Sequence, residues 1–274
     1  MTKKRVVLLI LFVFLGTLIL GSILARFTIK RIGVIEVEGV ITDSKEILEQ
    51  IEKFREDETI KGVVVRIESP GGASASCQEI HGELKKLREK KKVFVSMGSV
   101  CASGGYYIAV AGERIYAMPS TITGSIGVLM EQIVIEDLLK KIGLQTTTIK
   151  AGEFKDTGSP FRKMKEEEKI YLKGIIDAIH EQFIEDVAKG RNIPIDKAKK
   201  LGDGRIFTGK MAKEYGLVDE IGTFYDALED LRVALNIKEK PEIVYAKKKI
   251  SIFEWLLSTF FEEFIKKGLI SGVG

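Results

Sequence analysis

Three short stretches of this sequence carry residues that could open an acyl bond. Ser103 lies in CASGGYYIA, residues 101–109, just after the apolar run KVFVS at 92–96. A serine among small residues at a strand-to-helix turn can present its Oγ to a substrate, and the next backbone N–H can receive developing negative charge. A serine that merely caps a helix leaves the same local pattern. The second stretch, Glu68 followed by SPGG at 69–72, follows the buried-type run GVVVRIE and precedes a helical segment. Its two glycines let peptide N–H groups face a ligand at a helix start, although Pro-Gly-Gly is also a common turn. The third stretch is GEFKDTGSPFR at 152–162, which contains Lys155. His81 and His180 are the only histidines, and neither sits where an imidazole base would be expected. A lysine freed of its proton by desolvation could serve instead, as in serine-lysine dyads. Composition does not choose Lys155 over Lys150 or Lys163.

The elements that would hold these groups follow from periodicity. β-Branched runs predict strands at 32–38, 62–68, 92–96, 114–117, 126–130 and 146–150, with helices at 45–55, 76–89 and 131–142. Short strand-helix units imply an α/β domain with strands stacked in parallel through right-handed crossovers. Ile170, Leu172, Ile176, Ile179, Phe183 and Val187 recur near the helical period and predict one long amphipathic helix whose stripe faces core or another subunit. Residues 250–265 predict a second amphipathic helix, with Phe253, Leu256, Leu257, Phe260 and Phe264 on one side.

The 274 residues are 45% apolar and carry a net charge of +4, which suits a chain with a real core and excludes disorder. No basic run is interleaved with aromatics, so nucleic acid is excluded as a partner. Residues 6–24 contain no charge and are about long enough to cross a hydrocarbon core of roughly 30 Å as a helix. The lack of a clear small-x-small cleavage site favours an uncleaved anchor. Lys3, Lys4 and Arg5 before it are balanced by Arg26, Lys30 and Arg31 after it, so charge leaves its orientation open. Cys77 and Cys101 form no metal-ligand pattern with the two histidines and read as small buried residues; a bond between them is open only outside the cytoplasm. The expected organisation is a stub and anchor at 1–30, a catalytic domain at 31–240 and an amphipathic segment at 241–274.

SPGG, CASGGYYIA, TGSIGV at 123–128 and GEFKDTGSPFR, in this order and spacing, resemble the signal peptide peptidase A family of serine-lysine peptidases, and RIFTG at 205–209 and GLVD at 216–219 extend the resemblance. It implies Ser103 as nucleophile, Lys155 as base, Ser125 as the hydroxyl that orients the lysine amine, and oxyanion donors at Gly104 and in the Gly71-Gly72 turn. It also implies a Clp-protease-like, crotonase-type fold of repeated ββα units behind an N-terminal transmembrane helix, with the catalytic domain outside the cytoplasm. With one SGG and one FKD motif the chain matches the short form, which assembles as a homo-oligomeric ring with serine and lysine of one site on neighbouring subunits. Signal-peptide remnants and other short or unfolded apolar peptides are the implied substrates, and no metal or organic cofactor is required. A crotonase-type acyl-thioester enzyme and a non-catalytic membrane scaffold are the alternatives.

Overall fold

The computed structural model describes residues 30–246, together with 12 and 14–16. The segment read as an anchor falls, apart from those few positions, outside the described residues, as does the helix expected at 250–265. Among the described residues no helix is long and apolar enough to cross a membrane.

The frame is a mixed sheet wrapped by helices. Three long strands, β1 (Arg31–Ile41), β2 (Ile60–Gly72) and β3 (Lys92–Ala102), lie side by side in parallel. They join β4 (Arg114–Ala117), β5 (Ile122–Gly124), β6 (Ile206–Thr208), β7 (Glu220–Ile221) and β8 (Glu242–Tyr245). The main path runs β6-β5-β3-β2-β1-β8, and β4 pairs with both β3 and β7. The expected all-parallel stacking fails at one place, since β5 and β6 are antiparallel. Residues 242–245 pair with the outer edge of β1, so the sheet runs past the boundary expected at 240.

The continuous apolar runs are explained by burial on both sheet faces. One face carries Ile35, Val37, Val63, Val65 and Ile67 under α1 (Lys45–Glu56), α2 (Ser74–Lys90) and α3 (Gly104–Ala109). The other carries Ile32, Val34, Val64 and Phe94 against Ala227, Leu228 and Leu231 of the C-terminal helix. Pro70 fits inside β2 because Glu38 pairs with Glu68 but Val40 with Gly71, a bulge that removes the need for its missing N–H.

Among the described residues five helices follow α3: α4 (Glu136–Lys141), α5 (Glu166–Arg191), α6 (Ile195–Leu201), α7 (Gly209–Tyr215) and α8 (Phe224–Ala234). The long helix exists, but its stripe is divided. Phe183, Ile184 and Val187 are buried, whereas Ile170, Tyr171 and Ile175 are exposed. The region 126–150 departs most from expectation. The strand lies at Ile122–Gly124 rather than 126–130, no strand forms at 146–150, and the helix expected at 131–142 shrinks to α4. Ile126 is buried in the core, but Leu129 and Ile133 are each 79% exposed and Ile149 is 96% exposed, so most of this apolar stretch lies off the sheet.

Candidate active site

Ser103 follows the last residue of β3 and caps α3, whose six residues are all buried. Its backbone has φ 53 and ψ −123, a conformation that costs a side-chain-bearing residue roughly 1–3 kcal/mol and survives only where the surroundings fix it. Those surroundings are explicit. Ser103 N–H donates to Gly124 O at 2.8 Å, and Tyr107 N–H donates to Ser103 O at 2.9 Å. Ala102 pairs with Gly124 across β3 and β5, so Ser103 and Ser125 leave adjacent parallel strands in register. Ser125 shares the unusual positive φ, at 50°, and its N–H is fixed to Arg205 O at 2.9 Å.

The Gly71-Gly72 turn closes on this point from β2. A Cβ on Gly71 would lie 2.6 Å from Gly104 N, one on Gly72 would lie 2.0 Å from Ile41 O, and one on Gly104 would lie 3.2 Å from Gly72 N. Glycine is therefore a packing requirement at all three positions. Their N–H groups are not equivalent. Gly71 N–H donates to Ser69 Oγ at 3.1 Å and Ala73 N–H to Ile41 O at 2.7 Å, whereas Gly72 N lies 3.2 Å from where a Cβ on Gly104 would stand. Gly72 and Gly104 thus meet beside Ser103, and Gly71 provides the close approach.

Gly72, Ser74, Ser103, Ser125, Gly127, Val128, Leu129 and Gly204 line an open cleft. A narrower pocket beside it adds Cys77, Tyr107, Ile179 and Phe183, an apolar wall within reach of Ser103. Cys77 and Cys101 are buried free thiols. Burial pushes Cys77 up to about 11 and raises Cys101 further, so both stay protonated and neither competes with Ser103. His81 and His180 brace the site from behind, through Nδ1 to Tyr107 O at 2.8 Å and Nε2 to Ile126 O at 3.2 Å.

Lys155 is placed differently. It is exposed in the turn-rich segment 151–162 and lines neither the cleft nor the pocket at Ser103. The segment itself is anchored. Asp156 accepts from Arg162 Nε at 2.7 Å and from Lys150, Arg162 NH1 donates to Glu168 Oε2 at 2.8 Å, and Lys165 N–H donates to the same oxygen at 2.8 Å. Phe154 packs on Tyr171 with ring centroids 5.2 Å apart. Hydrogen bonds from Arg162 hold the Asp156 and Glu168 carboxyls well below the usual carboxylate range. Lys150 and Lys163 are paired with Asp156 and Asp137. Among the described residues no carboxylate pairs with Lys155, which separates it from the two lysines that composition could not distinguish.

Ser103, the Gly71-Gly72 turn, Gly104 and Ser125 are brought together within one chain, then, and Lys155 does not line their cleft. The apolar wall from Ile179 and Phe183, and the clamp from Arg162 to Glu168, were not anticipated. Phe183 had been visible only as one position of a helical stripe, and a carboxylate in the first turn of a helix is usually only a dipole partner.

Comparison with known proteins agrees with the motif resemblance. Residues 85–238, more than half of the chain, match the model of peptidase family S49. A Synechocystis sp. protein provisionally named a protease is 45% identical over 202 residues, 73% of each chain. An Enterococcus faecium protein provisionally named a signal peptide peptidase is 36% identical over 230 residues, covering 79% of this chain and 67% of its own. The chloroplastic serine protease SPPA of Arabidopsis thaliana is 33% identical over 237 residues, 86% of this chain but 34% of that longer protein.

Proposed function

This chain belongs to peptidase family S49, and from that membership we propose a membrane-anchored serine endopeptidase with a Ser103–Lys155 dyad, built on a crotonase-like spiral of ββα units. The observation that carries the proposal is the backbone of Ser103, held at positive φ beside the Gly72 and Gly104 N–H groups at the mouth of a cleft.

In this reading Ser103 Oγ attacks the scissile carbonyl while neutral Lys155 Nζ takes its proton. The carbonyl oxygen becomes an oxyanion between Gly72 and Gly104, where each donor contributes about 3 kcal/mol to the transition state. Collapse breaks the C–N bond, the leaving amine receives the proton from the Lys155 ammonium, and an acyl-Ser103 ester remains. Water, deprotonated by Lys155, then hydrolyses the ester. Ser125 accepts or donates at the amine and fixes its direction.

Lys155 rides on an arm that displays Leu129, Ile133, Leu138, Ile142 and Ile149 to solvent in the single chain. An apolar surface of that extent marks an interface. A second copy packed on it would bring the arm's lysine to its own Ser103, giving the homo-oligomeric ring with shared sites. Tyr107, Val128, Ile179 and Phe183 supply an apolar pocket beside the nucleophile, which suits signal-peptide remnants and other unfolded apolar peptides. The family resemblance, rather than the charges flanking the expected anchor at residues 6–24, supports an extracytoplasmic catalytic domain. Purified protein should cleave such peptides and take up a fluorophosphonate probe at Ser103. Retained cleavage in Ser103→Ala would remove that residue from the mechanism.

A further inference from the structure

The remaining part of the second motif, Glu68, has no role in the scheme above. Its environment gives it one. Ile67 of β2 pairs with Met97 of β3, but Ser69 pairs with Cys101. While β2 advances two residues, β3 advances four, so β3 bulges at Gly98, Ser99 and Val100 and loses its regular ladder there. The Glu68 carboxylate fills the gap. Ser99 N–H donates to Glu68 Oε2 at 2.7 Å and Val100 N–H to Glu68 Oε1 at 3.0 Å. Gly98 is shaped around the same group, because a Cβ there would lie 1.8 Å from Glu68 Oε2. Thr121 Oγ1 closes the other side by donating to Gly98 O at 2.7 Å.

The bulge is where β3 changes neighbours. Phe94, Val95 and Ser96 pair with β4, whereas Val100, Cys101 and Ala102 pair with β5. Everything beyond it, including Ser103, takes its register from how many residues the bulge absorbs, and a one-residue slip would turn each side chain to the opposite face.

We propose that Glu68 is a positioning residue for Ser103: its carboxylate, clamped on the Ser99 and Val100 N–H groups, sets the register that delivers the nucleophile to the Gly72 and Gly104 donors. This rests on Ser103 being the nucleophile. Misplacement by about 1 Å costs on the order of a hundredfold in rate, so Glu68→Ala should lower kcat by about ten- to a hundredfold. KM should change less than about twofold, because the apolar pocket is untouched. Glu68→Gln keeps the size and one acceptor but presents an NH2 to the other N–H, so it should fall between. Phosphonate labelling of Ser103 should slow in step with kcat. Gly98→Ala, which displaces the same carboxylate, should reproduce the defect, and the Gly98→Ala/Glu68→Ala double variant should be no worse than the poorer single one. Unchanged kcat per folded Glu68→Gln molecule, or losses that multiply in the double variant, would overturn the proposal. Activity surviving in Ser103→Ala would instead refute the nucleophile assignment, so the two failures are distinguishable.

Discussion

The two halves of the candidate site are built in opposite ways. Ser103, the proposed nucleophile, stands at the end of the innermost strands, where Val63, Val65, Ile67 and Val95 have no solvent exposure and α3 is buried throughout. Lys155, the proposed base, stands on an arm with one short helix and apolar side chains turned to solvent, clamped to the rest of the chain by Arg162, Asp156 and Glu168. The contrast fits the proposal that one chain holds a strained serine securely and takes its lysine from a neighbour. Strain at Ser103 needs a rigid surround, which a single fold supplies. Lys155 stands exposed on the arm, so the proposed base lies in the half that the single chain leaves uncovered.

Substitutions at the two chemical groups give the largest expected effect and sharpen the comparison first. Ser103→Ala and Lys155→Ala should each lower kcat by about a thousandfold or more. The melting temperature should stay level in both variants, because alanine keeps the Cβ and the positive φ of Ser103 and Lys155 is exposed. Next, Ile67→Ala in the nucleophile half should cost about 2–5 kcal/mol of stability in chemical denaturation. The counterpart on the arm, Ile149→Glu, should leave denaturation within about 0.5 kcal/mol for the isolated chain, as an exposed site does. It should instead reduce assembly in sedimentation and lower activity about tenfold or more, since a buried charge at an interface lacks a partner. Equal stability losses at both positions would erase the distinction.

The smallest effect concerns acid. Asp156 and Glu168 are held down by Arg162, so their contribution to anchoring the arm is complete above the ordinary carboxylate values near 4. It fades as pH falls from there through their lowered folded values. Hydrogen exchange at residues 151–168 should therefore accelerate between about pH 4 and 2. The regular ladder of β2 and β3 over Val63–Ile67 and Val93–Met97 is held by apolar burial instead and should keep its protection further into acid. Simultaneous loss in both halves would count against the clamp.

These differences also explain what could be read from the residues alone. The runs at 32–38, 62–68 and 92–96 fall inside β1, β2 and β3 because sheet burial on two faces leaves an unmistakable apolar string. Ser103 at the following turn was legible for the same reason. The strands expected at 126–130 and 146–150 failed because periodicity shows that a residue is apolar, not which chain it packs against. Ile149 looks like a core residue and is exposed. Glu68 left no signal, since a carboxylate replacing ladder hydrogen bonds is indistinguishable from any charged residue at a strand end.

The central claim is that serine and lysine of one working site come from different copies of the chain. Mixed assemblies formed by co-expressing Ser103→Ala with Lys155→Ala test it directly, since each is inactive alone and the pair holds both intact groups. Random mixing in a head-to-tail ring should restore about a quarter of the wild-type peptidase activity, the fraction of interfaces that join an intact serine to an intact lysine. Mixed particles that form and show no activity would contradict the account.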